Sequence, residues 1–186
     1  MKTFEILKNN FPVNWTTVLV GWEGLGIISP WPDKWIESSP LLTVNEVYEF
    51  CYDRISKTSD AKEISLILEM LEFEKKGPDR EFIGYLLTPL SELYNGDKTF
   101  EIRKWRAVML GELLERLQGD ALSDSLEIGE FWMYYGFPPD SPMKHSDIDN
   151  VRSDEYGSKK YINRVITINK EWLQNEIQTI MMELSR

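Results

Sequence analysis

Apolar positions recur at helical spacing along most of this chain. In NWTTVLVGWEG, Trp15, Val18, Leu19 and Trp22 fall at i, i+3, i+4 and i+7, one face of a helix. Asn14 stands at the N-cap position, where its side chain can accept an otherwise orphaned backbone N–H. Gly24 and Gly26 end the run, because glycine takes the left-handed conformation at low cost. A stripe of this period marks Trp15 and Trp22 as core.

Four further helices follow with short connectors. Thr43 with Glu46 is a capping box opening a helix over 44–57, with Val44, Val47, Tyr48, Cys51 and Ile55 inward. Asp60 with Glu63 opens another over 61–75, with Ile64, Ile67, Leu68 and Leu71 inward. Gly77 and Pro78 separate it from a third over 79–94, in which Pro89 is a potential break. Asp97 caps the longest, over 98–118, with Ile102, Trp105, Met109, Leu113 and Leu117 on one side. Asp124 with Glu127 predicts a helix over 125–135, closed by Gly136 and Pro138. Asn169 caps a last helix to 184, with Leu173, Ile177, Ile180, Met181 and Leu184 together.

Connectors this short force antiparallel neighbours, so the fold class is mainly α, a bundle or a stack of helical hairpins. No repeat of fixed period marks a solenoid. One segment breaks the helical pattern. YINRVITI, 161–168, is β-branched and reads as a strand, and IDNVR, 148–152, is the nearby segment that could pair with it in a small hairpin. The 186 residues fit one α-rich domain: helical over 1–136, loop-rich and acidic over 137–168, and helical again over 169–186.

Charge refines this picture. The formal net charge is -10, and residues 119–157 hold nine acids against two bases, or -7 of that total. Nucleic acid binding, which needs cations to displace counterions, is disfavoured. An acidic surface either keeps the protein soluble or complements a basic partner. No apolar run approaches the roughly 20 residues that cross a bilayer, and MKTFEILKNNFP lacks the apolar stretch of a secretory signal. A single cysteine, Cys51, suits a reducing cytoplasm.

Catalytic constellations are sparse. One histidine, His145, and one cysteine leave no zinc set. Neither a nucleophile elbow nor a phosphate-binding glycine loop occurs. HSDIDN, 145–150, could offer Asp147 and Asp149 to a divalent cation, but it fails the EF-hand spacing, with Arg152 and Ser158 where glycine and glutamate belong. A solvated acidic loop is the simpler reading. No metal, cofactor or catalytic residue is assigned.

Two aromatic stretches either pack into the core, as large aromatics usually do, or form contact surfaces. GEFWMYYGFPP packs Phe131, Trp132, Tyr134, Tyr135 and Phe137 into seven residues, inside the most acidic part of the chain. Tyr and Trp concentrate binding energy at interfaces, and acids around them would steer a basic partner. SPWPDKWIESSP fixes Trp31 and Trp35 among Pro30, Pro32 and Pro40 in a non-helical loop.

VGWEGLGIISP (20–30), KWRAVMLGELL (104–114) and IGEFWMYYGFPPDSP (128–142) together resemble the bacterial domain-of-unknown-function family twenty-two forty-seven. That family looks like those encoded beside polymorphic toxins, which implies an immunity role; it carries no known catalytic residue. The leading expectation is therefore a cytoplasmic, non-enzymatic inhibitor that binds a basic toxin stoichiometrically. Trp132, Tyr134 and Tyr135 would anchor it, and Asp140, Asp147, Asp149, Asp154 and Glu155 would supply charge. The alternatives are a small carboxylate-based enzyme, with or without a metal, and a helical adaptor docking through Trp31 and Trp35.

Overall fold

The computed structural model describes residues 3–25, 40–77, 79–135, 139–143 and 158–186. Among them every regular element is an α-helix: α1 (Thr3–Asn10), α2 (Trp15–Glu23), α3 (Val44–Ile55), α4 (Ala61–Glu74), α5 (Arg80–Tyr94), α6 (Lys98–Arg116), α7 (Ala121–Tyr134) and α8 (Lys159–Leu184). The mainly α fold follows from the periodicity.

Most of the helix starts are those the caps predict. Asn14 accepts from Thr17 N at 2.9 Å and Thr17 Oγ1 returns a bond from Asn14 N. Thr43 and Glu46 close the same reciprocal box. Asp60 caps α4. Gly24, at φ 79°, ends α2. Pro89 does not break α5, which runs straight through it. The carbonyl that loses its N–H partner there is that of Tyr85, a residue on the exposed side.

Three expectations change. The stretch 161–168 is not a strand but the beginning of α8, which Ser158 caps ten residues before the predicted start. Tyr161, Ile162, Val165 and Asn169 are buried at i, i+1, i+4 and i+8, so packing of a helical face overrides the β-branched preference. The hairpin is therefore absent, and its other half, 148–152, lies outside the described residues. Next, α7 starts at Ala121 with Asp120 as its cap. Asp124 is spent elsewhere: its buried carboxylate accepts from Gln118 N at 3.1 Å and Gly119 N at 2.9 Å, tying off the turn after α6. Last, α4 turns Glu63, Ile67 and Met70 inward and leaves Leu68 exposed.

The chain divides into two compact units, with the boundary inside α6 between Ile102 and Arg103. In the first unit, drawn from Met1–Leu25 and Ser38–Ile102, α2 packs along α5, α3 on α4 and α4 on α5. Helix α2 is buried nearly all round, Thr16 and Thr17 included, as expected of a central helix. Trp15 is fully buried, as predicted, and meets Phe50 edge-to-face at 4.8 Å. Trp22 is buried as well and carries the Arg80 guanidinium 4.0 Å over its ring. Burial of each such side chain contributes about 1.5–3 kcal/mol.

The second unit contains Arg103–Arg186. Its core is Leu110, Leu113, Ile128, Phe131, Trp132, Tyr161, Ile162 and Val165, and α7 lies on α8.

Candidate partner-binding site

Helix α7 has two apolar faces. Asp124, Ile128, Phe131 and Trp132 form its buried side. Leu122, Leu126 and Met133 are 55%, 57% and 39% exposed. At 3.6 residues per turn these three and Gly129 lie within about 60° of one another, roughly 150° from the buried side. A helix apolar on opposite sides is built for burial on both. Here one side is covered by the core and the other faces outward.

Gly129 sits in the middle of the outward strip. A Cβ added there would meet nothing within 4 Å. Glycine inside a helix costs about 1 kcal/mol relative to alanine, and among the described residues no packing explains it at this position. Its absent side chain leaves a notch between Leu126 and Met133 in which another chain can approach the helix backbone closely.

One exposed acid, Glu130, flanks the strip. Helix α7 contains Asp124, Glu127 and Glu130 and no lysine or arginine. Asp124 is buried, Glu127 meets Arg116 at 3.6 Å, and Glu130 is exposed. Tyr134, 51% exposed, stands at the end of the helix.

The aromatic cluster divides accordingly. Trp132 is not an anchor for a partner: it is 0% exposed and donates its indole N–H to Asn169 Oδ1 at 2.6 Å. Tyr135 is half-buried, lies 4.7 Å from Phe131 with the two rings tilted by 50°, and donates to Met109 Sδ at 3.2 Å. Burial raises its phenol pKa, outweighing the opposing charge of Arg106. Of the three predicted anchors, Tyr134 alone is presented. Asp140 is exposed but already engaged, accepting from Arg106 at 3.0 Å. Trp31, Trp35, Asp147, Asp149, Asp154 and Glu155 lie outside the described residues. Sequence reasoning missed Leu122, Leu126, Gly129 and Met133, although their spacing of four, three and four is plain in the sequence. The neighbouring aromatics are the more conspicuous pattern, and packing draws Phe131 and Trp132 into the core.

The conspicuous buried polar groups serve structure. Glu63 accepts from Trp15 Nε1 at 2.6 Å, Arg54 Nε at 2.7 Å, Tyr94 OH at 2.9 Å and the Thr58 hydroxyl. Burial alone would raise its pKa, but the bonds from Thr58, Trp15 and Arg54 outweigh that and hold it below its ordinary value. A carboxylate so occupied has no lone pair left for a substrate. In the second unit Arg103 grips Glu176 through two nitrogens, at 2.8 and 3.1 Å, and reaches Glu183 at 2.9 Å. Arg106 lies 4.8 Å over the Trp172 ring and joins Glu176 to Asp140. Cys51 is buried, and burial followed by the charge of Glu74 pushes its thiol up to about 12. Among the described residues no group of three or more His, Cys, Asp and Glu is placed to hold a metal ion, and no helix is long and apolar enough to cross a membrane.

Residues 4–177 match DUF2247, described as an uncharacterized protein conserved in bacteria, and the chain belongs to that family. No curated protein and no solved structure matches it.

Proposed function

From membership of this bacterial family, we propose that the protein is a non-enzymatic binding protein of the immunity type, which neutralises a basic bacterial toxin by stoichiometric contact. The observation that carries this reading is the outward strip of α7: Leu122, Leu126, Gly129 and Met133, with Glu130 and Tyr134 beside it. Apolar side chains exposed in one line supply the desolvated centre of an interface, and Glu130 beside them favours a cationic partner over an anionic one. The net charge of -10 acts in the same direction at longer range. The resemblance to toxin-associated families supplies the biological class of partner.

Capture of the tagged protein from its source cell at low and at high salt tests the reading. A basic protein held in one-to-one ratio at low salt, and released as salt rises, is the expected result. An acidic partner, or retention that does not depend on salt, would remove the electrostatic basis of the proposal.

A further inference from the structure

The outward strip of α7 constrains the shape of what covers it. Leu122, Leu126, Gly129 and Met133 are spaced four, three and four residues apart, the alternation of the two seam positions of a heptad. A seam of that spacing runs almost straight along a helix, and from Leu122 to Met133 it covers three turns, about 16 Å. Leu126, Gly129, Glu130 and Met133 fall at i, i+3, i+4 and i+7, the four positions that wall the hole for one side chain of a facing helix. Gly129 is the floor of that hole, and a Cβ added there would meet nothing within 4 Å.

These features separate the shapes a partner can bring. A strand gains nothing here, because the backbone groups of α7 are used within the helix and leave no edge to extend. A flat or irregular surface would touch the leucines but has no use for a gap between them. A helix does. Interaxial distances run from about 8 to 10 Å according to the side chains at the contact, and glycine at the crossing permits the short end of that range. Charge chooses the sign. Asp120 caps α7, Asp124 is buried, and Glu127 meets Arg116 at 3.6 Å. Glu127, with Arg116 on it, lies about 130° round from the strip and Glu130 about 70°. Glu130 is thus the exposed acid of α7 nearest the strip, and among the described residues it has no ion pair.

We propose that the element of the partner seated on α7 is a cationic amphipathic helix of at least three turns. It packs at close range, with a bulky apolar side chain in the hole over Gly129 and a lysine or arginine beside Glu130. This deepens the binding reading above and rests on it for the choice of site. A single helix pair is a small interface, so such a helix taken alone binds weakly, with a Kd on the order of 100 µM.

The probe is a synthetic peptide of about 18 residues, long enough to hold a helix, with leucine at the two seam positions of each heptad and lysine and alanine elsewhere. It is titrated into the isotope-labelled full chain and followed by backbone amide shifts. A scrambled peptide of equal charge and composition is the control. The expected shifts centre on Gly129 and saturate at one peptide per chain, and the scrambled peptide binds about tenfold more weakly or worse. Leu126→Asp weakens binding by about tenfold, and Glu130→Lys by about two- to fivefold. Gly129→Leu separates close helix packing from mere stickiness. It adds apolar surface at an open position, so a sticky strip binds more tightly, whereas filling the hole weakens a helix by about tenfold. The melting temperature of each variant checks that it is folded. Unchanged or tighter binding to Gly129→Leu would overturn the proposal, as would equal binding of the scrambled peptide, no binding of the helical one, or shifts centred away from α7. Peptide binding with no basic protein captured from the cell removes the toxin and keeps the helix. A captured toxin that saturating peptide fails to displace keeps the toxin and removes the helix.

Discussion

At the scale of single residues, burial and saturation separate structural groups from available ones. Glu63 shows this most clearly, since four donors converge on one buried carboxylate. Replacing it by Gln leaves the Arg54 guanidinium without its anion and should destabilise the first unit by about 2–4 kcal/mol in urea unfolding. Its folded pKa lies below its unfolded one. The ionised form therefore contributes stability above the unfolded value, and that contribution is lost as pH falls through the folded value. Wild type should lose stability below about pH 4.5, and Glu63→Gln should lose less over the same interval. Cys51 gives a second check. With its thiol pushed up to about 12 by burial, it should resist alkylation in the native protein at neutral pH and react fully on unfolding. The core positions of Trp15 and Trp22 were legible in the sequence because both lie on a helical stripe. The fate of Trp132 was not, because a helix with five nearby aromatics does not announce which of them faces the core. The choice depends on Asn169 of α8 lying across from it, and that juxtaposition is tertiary.

At the scale of elements, capping chemistry was the most readable signal. Asn14, Thr43 and Asp60 each start a helix where a side-chain oxygen meets backbone N–H groups. The first ten residues of α8 are not legible as helix because Ile162, Val165, Ile166, Thr167 and Ile168 are individually good strand formers. Their burial pattern is helical only when counted together with Tyr161 and Asn169. The α4 register was obscured for a different reason: Glu63 looks like a capping residue but is pulled inward by Trp15 and Arg54. Two glycines, Gly96 in the α5–α6 connector and Gly129 within α7, allow a paired test. A Cβ at Gly96 would lie 2.3 Å from Thr16 Oγ1 and 2.7 Å from its Cβ, so Gly96→Ala should destabilise by about 1–3 kcal/mol. Gly129→Ala meets open space and should stabilise the free protein by about 1 kcal/mol. If a partner approaches the notch there, the same substitution weakens binding as it raises the melting temperature.

At the scale of the whole molecule, the acidic balance bears on the choice of partner. In the proposed reading, net charge sets the sign of the partner, and the apolar line on α7 sets where contact is made. Association with a cationic protein should therefore slow steeply as ionic strength rises, because exposed charges are screened over a Debye length of about 8 Å at physiological salt. Dissociation, governed by the desolvated α7 strip, should change little. The account stands most directly on one measurement: calorimetric titration of the captured basic partner into wild type and into Leu126→Asp. The substitution lies at an exposed position and leaves the core untouched. The account predicts a one-to-one isotherm for wild type and affinity reduced at least tenfold for the variant, with little change in melting temperature. Equal affinities for the two proteins would contradict it.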